Sequence, residues 1–133
     1  MTKQKEKMKK VFLGGTCNKS LWRDELIPKL TINFYNPVVL NWTEELKHKE
    51  IEERSSADYC LYVITSKMKG VYSIAEIIDD SNKRPERTVF CFSEIDGPFA
   101  PFILRSLKAV GEMAEKNGAT WCKNFGEVAE VLK

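Results

Sequence analysis

Short apolar runs alternate strictly with stretches of helical periodicity, and this alternation constrains the fold more than any single motif. Val11-Phe12-Leu13, Ile32-Asn33-Phe34-Tyr35, Tyr59-Cys60-Leu61-Tyr62-Val63-Ile64 and Thr88-Val89-Phe90-Cys91-Phe92 are rich in β-branched and aromatic residues. Most are continuously apolar, the pattern of strands covered on both faces. A weaker fifth run, Ala119-Thr120-Trp121-Cys122, follows Gly118. Between them the spacing predicts helices over 21–30, 43–54, 73–82, 102–117 and 125–132. The fourth is the clearest, with Ile103, Leu107, Val110 and Ala114 on one stripe, Pro101 before its start and Gly118 where a left-handed cap belongs. Pro28 should kink or shorten the first helix. The order βαβαβαβαβα predicts a three-layer α/β fold, a parallel sheet with right-handed crossovers and helices on both faces. Five strands in 133 residues favour the flavodoxin-like strand order 2-1-3-4-5 over a complete dinucleotide-binding fold, which needs more chain.

In such a sheet, ligands sit outside the carboxyl ends of the strands where the strand order reverses. With the order 2-1-3-4-5 that point lies between strands one and three. Strand one leads into Gly14-Gly15-Thr16, read as a tight glycine turn. Strand three leads into a loop ending in Gly70-Val71-Tyr72-Ser73-Ile74-Ala75-Glu76. The two would frame one pocket, with Glu76 in the first turn of a helix and pointing into it. The long irregular segments 65–72 and 93–101 are both expected on this edge, where binding residues tend to lie.

The chain fits one domain: residues 1–9 read as a basic, flexible leader and 10–133 as the folded unit. The formal charge of +2 hides an asymmetry, because Lys3, Lys5, Lys7, Lys9 and Lys10 stand against Glu6 in the first ten residues, leaving the body mildly acidic. The leader lacks interleaved aromatics and reads as a solvated terminus, so no nucleic-acid partner is expected. No apolar run approaches the roughly 18 residues of a membrane span. No signal-peptide pattern follows the leader, so a cytoplasmic location is expected. Cys17, Cys60, Cys91 and Cys122 form no C-x-x-C pair, and two lie inside strand runs as small hydrophobes do, which argues against disulfides and structural zinc. His48 is the single histidine and sits on a charged stretch, so a nucleophile–histidine arrangement would have only this surface residue to use.

Several residues have two readings each. Ser73-Ile74-Ala75-Glu76 fits the S-x-x-E capping box, in which serine and glutamate satisfy each other's backbone amides. The preceding Gly70-Val71-Tyr72 favours an active-site reading, since glycine lets backbone approach a ligand, and Ser73 could cap while Glu76 turns inward. Gly14-Gly15-Thr16-Cys17-Asn18 resembles a phosphate or ribose cradle, yet it is neither G-x-G-x-x-G nor a Walker sequence, and a tight strand-to-helix turn explains it as well. Arg23 could reach a phosphate or be solvated, and Trp22 reads as core. Glu44, Glu45, Glu50, Glu52 and Glu53 with Lys47, Lys49 and Arg54 read as an exposed helix face carrying i,i+4 pairs. One of them could still bend inward near the carboxyl end. Asn36-Pro37 and Asn41-Trp42 follow the second strand, where an aromatic could stack on a base or pack.

On Val11-Phe12-Leu13-Gly14-Gly15-Thr16, Trp22-Arg23, Asn36-Pro37, Ala57-Asp58 and Gly70-Val71-Tyr72-Ser73-Ile74-Ala75-Glu76, the chain resembles the nucleoside 2-deoxyribosyltransferase-like superfamily, most closely its compact bacterial and phage branch. The resemblance covers roughly residues 10 to 92. It implies a flavodoxin-like fold and cleavage of an N-glycosidic bond by a glutamate that attacks C1′ of the sugar. Glu76 matches that nucleophile, and Glu50 matches an acid that assists the departing base, where the family usually has aspartate. Phe12 stands where the family commonly has a tyrosine whose hydroxyl orients the nucleophile. Ser73 matches the phosphate-binding serine of the nucleotide-hydrolysing branch. Gly14, Gly15, Thr16, Arg23, Asn36, Gly70, Tyr72 and Ser73 are the expected substrate contacts, with no metal and no cofactor. Family members often complete each pocket with a neighbour's residues, which suggests a homo-oligomer.

The mechanism implied by the resemblance is that of a retaining glycosidase, with a glycosyl ester on Glu76 released by water or by a second base. The acid then needs a raised pKa and the nucleophile an ionised carboxylate. Two other readings fit the same residues: a nucleotide-binding module that has lost the chemistry, as Phe12 and Glu50 would allow, and an NAD-cleaving domain of the TIR kind.

Overall fold

The computed structural model describes residues 8–17, 19–39 and 41–133. Asn18 of the expected cradle and most of the basic leader lie outside these residues. The strands are β1 (Lys10–Gly15), β2 (Asn33–Tyr35), β3 (Tyr59–Thr65), β4 (Thr88–Ser93) and β5 (Thr120–Cys122). The helices are α1 (Trp22–Leu26), α2 (Glu44–Ser56), α3 (Tyr72–Lys83), α4 (Pro101–Lys116) and α5 (Phe125–Val131). All strand pairs are parallel and the order is β2-β1-β3-β4-β5, the flavodoxin-like arrangement expected from the alternation. No helix among the described residues is long and apolar enough to cross a membrane.

Successive strand residues point to opposite faces, which divides the core into two layers. Val11, Leu13, Leu61, Val63, Val89 and Cys91 pack with Trp22 and Leu26 of α1 and Val128 of α5. Phe12, Cys60, Tyr62, Ile64 and Phe90 pack with Ile77 of α3 and Leu107 and Ala114 of α4. Every residue of β3 from Cys60 to Thr65 is buried, which explains its unbroken apolar run. The four cysteines are free, Cys17 exposed and the other three buried.

As Pro28 led us to expect, α1 is shortened: it ends at Leu26 and passes into a 3-10 turn, Ile27–Lys29, because Pro28 supplies no amide to continue the α-helical ladder. Two other local expectations change. Gly14 and Gly15 are not a turn: they continue β1, in register with Tyr62 and Val63 of β3. Helix α3 begins at Tyr72, with Val71 as its N-cap and no side-chain cap hydrogen bond. Ser73 is thus already inside the helix, so the Ser73/Glu76 capping box does not form.

Helix α2 is unusual in burying none of its residues. Its start is capped by Thr43, whose hydroxyl accepts from the Leu46 amide. Towards its end the helix is tied to the body by ions: Lys10 Nζ meets Glu53 at 2.6 Å, and Arg54 reaches the acids of α3.

Candidate active site

A cavity of about 360 Å³ opens beside the carboxyl end of β1, at the sheet position where strand order reverses. Phe12, Gly14 and Gly15 of β1 form one side, Tyr72, Ser73 and Glu76 of α3 another, and Glu50 of α2 a third. Arg23 lies at the base, and Pro37, Val38, Val39 and Trp42 complete the wall. Trp42 is 57% exposed, so its ring has room for a planar partner.

Glu76 sits in the second turn of α3 and is only 8% exposed. Its one polar partner among the described residues is Arg54, whose Nε lies 3.3 Å from Oε2. Burial pushes the Glu76 carboxyl up to about 7. Arg54 opposes that rise, while Glu50, Asp80 and Asp79 add to it. Glu50 is half-buried, and desolvation raises its pKa too, against the pull of Arg54 and Arg23. The expected contrast, a raised acid beside an ordinary nucleophile, is therefore not found: both carboxyls are raised.

Arg54 was expected on an exposed face and instead is the centre of a buried cluster. Its Nε donates to the Tyr62 hydroxyl at 2.9 Å, and one terminal nitrogen donates to Asp80 at 2.9 Å. The Tyr62 hydroxyl donates to Asp80 at 2.5 Å, and Arg84 donates to the same carboxylate at 2.8 Å. Asp80 is fully buried, so two cations and a phenol satisfy one acid. Burial by itself lowers the Arg54 pKa, but Tyr62, Asp80 and Glu76 outweigh it and hold the guanidinium charged.

Arg23 is 6% exposed, so it is not solvated. Its terminal nitrogens donate to the Thr16 and Leu13 carbonyls, both at 2.8 Å, and its Nε has no hydrogen-bond partner among the described residues. It braces the end of β1 from below. Thr16 is likewise buried, with its hydroxyl accepting from the Thr65 amide at 3.0 Å, a clamp between the ends of β1 and β3. Thr16 and Gly70 line an adjoining hollow of about 210 Å³ together with Gly15, Tyr72 and Ser73. Asn36 lines neither space: its side chain accepts from the Val38 amide and shapes the loop that delivers Val38 and Val39.

Of the ten residues picked from sequence, Gly14, Gly15, Arg23, Glu50, Tyr72, Ser73 and Glu76 meet in the main cavity, Thr16 and Gly70 join next door, and Asn36 stands apart. Sequence reasoning missed Arg54, Tyr62 and Asp80. The spacing of Glu76 and Asp80 held a signal, because acids at i and i+4 share a helix face, here the face that Ile77 buries. Among the described residues no group of three or more His, Cys, Asp or Glu side chains is arranged to hold a metal ion.

Comparison with known protein families gives one match, to the family described as nucleoside 2-deoxyribosyltransferase like, over residues 8–94. That span runs from β1 through β4 and contains every residue lining the main cavity. No curated protein matches the chain.

Proposed function

Because the chain belongs to the nucleoside 2-deoxyribosyltransferase-like family, with a nucleoside as the small-molecule partner this suggests, we propose that it breaks the N-glycosidic bond of a nucleoside or nucleotide through an ester on Glu76. The observation that carries this reading is the convergence of Glu76 and Glu50 on one cavity at the β1/β3 crevice, with Glu76 freed from any capping role.

In the first step a Glu76 oxygen bonds to C1′ as the C1′–N bond breaks, its electron pair leaving with the base while the Glu50 carboxyl gives that nitrogen a proton. The transition state is oxocarbenium-like. A desolvated carboxylate gains doubly here: positive charge builds beside it, and the ester removes its own charge. In the second step water, or the nitrogen of another base, attacks C1′ as the C1′–O bond to Glu76 breaks, its electron pair restoring the carboxylate, and the attacking group gives a proton to Glu50. Transfer to a second base is favoured slightly over hydrolysis. Trp42 offers its ring to the base.

The test is chromatography of the purified protein with deoxynucleosides and 5′-monophosphates, with and without acceptor base. Free base or an exchanged nucleoside is expected; none from any substrate sinks the reading. Since Glu76 must be ionised and Glu50 protonated for the first step, and burial raises both carboxyls, Glu76 to about 7, kcat/KM should be bell-shaped in pH. A flat profile from about pH 5.5 to 8.5 would count against Glu76. Phe12, which brings no hydroxyl to the site, favours a binding module as the second reading. Thermal stabilisation by a nucleotide without conversion would support it, and NAD belongs in the same panel.

Val71 and Tyr72, 70% and 73% exposed at the start of α3, form an apolar rim that a second copy of the chain would cover. A homo-oligomer is part of the proposal, and a monomeric sedimentation profile would remove it.

A further inference from the structure

The nucleophile proposed above has a single polar partner among the described residues, and that partner is itself held from behind. Arg54 reaches Glu76 across 3.3 Å, but its hydrogen bonds go to the Tyr62 hydroxyl, to Asp80 and, at 3.3 Å, to Asp79. Tyr62 is fully buried in the middle of β3, out of reach of any ligand, and burial pushes its phenol well above the ordinary range. It can neither touch a substrate nor give up its proton. A phenylalanine would fill the same core volume without needing a polar partner.

The fold makes room for this aromatic ring. Gly14 lies opposite it in the sheet, and a Cβ at Gly14 would come within 2.6 Å of the Tyr62 ring. One glycine of the expected ligand cradle is thus required by a side chain behind the site. Phe12, two residues earlier on β1, carries no hydroxyl, and the phenol that reaches the Arg54 guanidinium comes from the neighbouring strand.

We propose that Tyr62, together with Asp80, is a positioning residue that orients Glu76 by fixing the Arg54 guanidinium. The idea rests on the proposed reaction only for its catalytic consequence. Removing the hydroxyl leaves the buried Asp80 Oδ2 with only its longer bond from Arg54 Nε, at 3.3 Å, so that bond tightens and the guanidinium is drawn towards Asp80 and away from Glu76. The other charged groups around Glu76, namely Glu50 on α2 and Asp79 on α3, with Arg84 beyond Asp80, keep their places.

The experiment is carbon NMR titration of the Glu76 carboxyl in the full chain, with its signal assigned by loss in Glu76→Gln. Tyr62→Phe should raise the midpoint by about half a unit or more. Arg54→Lys, which keeps the charge but not the fork, should raise it as well, and the double variant should match Arg54→Lys alone, since Tyr62 acts only through Arg54. If base release is observed, Tyr62→Phe should move the limb of the kcat/KM profile that reports Glu76 by the same amount and leave KM within about two-fold. An unmoved midpoint in Tyr62→Phe, or additive shifts in the double variant, overturns the proposal. Should Tyr62→Phe not fold, an unmoved midpoint in Arg54→Lys overturns it alone. Shifted midpoints in a protein that releases no base would sink the proposed function and leave the positioning role standing.

Discussion

Glu76→Gln should abolish base release, lowering kcat by on the order of 10³-fold or more, and should at the same time make the protein more stable above neutral pH. The two effects have one cause. A carboxyl whose ordinary pKa is 4.5 is held near 7 in the folded chain, chiefly because it is buried. The folded state therefore binds the proton more tightly than the unfolded state. Its stabilising share is fully present below about pH 4.5 and is lost as pH rises through about 7. Above that, burying the ionised group costs on the order of 3 kcal/mol. Glutamine keeps the shape without the charge, and Arg54 retains Asp79 and Asp80 as partners. Melting curves at pH 5 and pH 8 check this: the variant should gain on the native protein only at the higher pH. A variant less stable at both pH values, with turnover unchanged, would mean a structural carboxylate and no nucleophile.

Gly15→Ala should destabilise the fold by at least about 4 kcal/mol, enough to use up most of the margin of an ordinary domain. Gly15 has φ +113°, a conformation that side-chain-bearing residues rarely adopt, and a Cβ there would lie 2.1 Å from the Val63 carbonyl oxygen. Neither problem can be relieved without moving β3, since Thr16 also donates to that carbonyl at 2.9 Å. Gly70→Ala is the matched control. A Cβ at Gly70 meets nothing within 4 Å, so the change should stay within about 0.5 kcal/mol. Urea melts of the two variants read both expectations. A native-like midpoint for Gly15→Ala would mean that the end of β1 can be rebuilt.

The strand order and the pocket's location were legible because they follow from hydrophobic periodicity and chain order alone. The five apolar runs became the five strands in the expected sequence, and Glu50 and Glu76 met although 26 positions separate them. Backbone geometry was harder to read. Gly14-Gly15 looks like a turn in sequence because glycine is common in turns, but here it answers two crowded contacts inside a sheet. Ser73-Ile74-Ala75-Glu76 matches a capping box, but the helix starts two residues too early for Ser73 to cap it. Arg54 was hidden for another reason: its neighbours Glu52, Glu53 and Ser55 are those of a solvated helix face, and nothing local records that Asp80 waits across the gap. Charge pairs between elements leave no periodic trace.

Helix α2 carries both Glu50 and Arg54, yet it contributes nothing to the hydrophobic interior. Two functional groups of the site therefore ride on a segment whose composition the core does not dictate. A change at an α2 position that faces the pocket therefore costs the hydrophobic core nothing, while Arg54 keeps the helix pinned to α3 through Asp79 and Asp80.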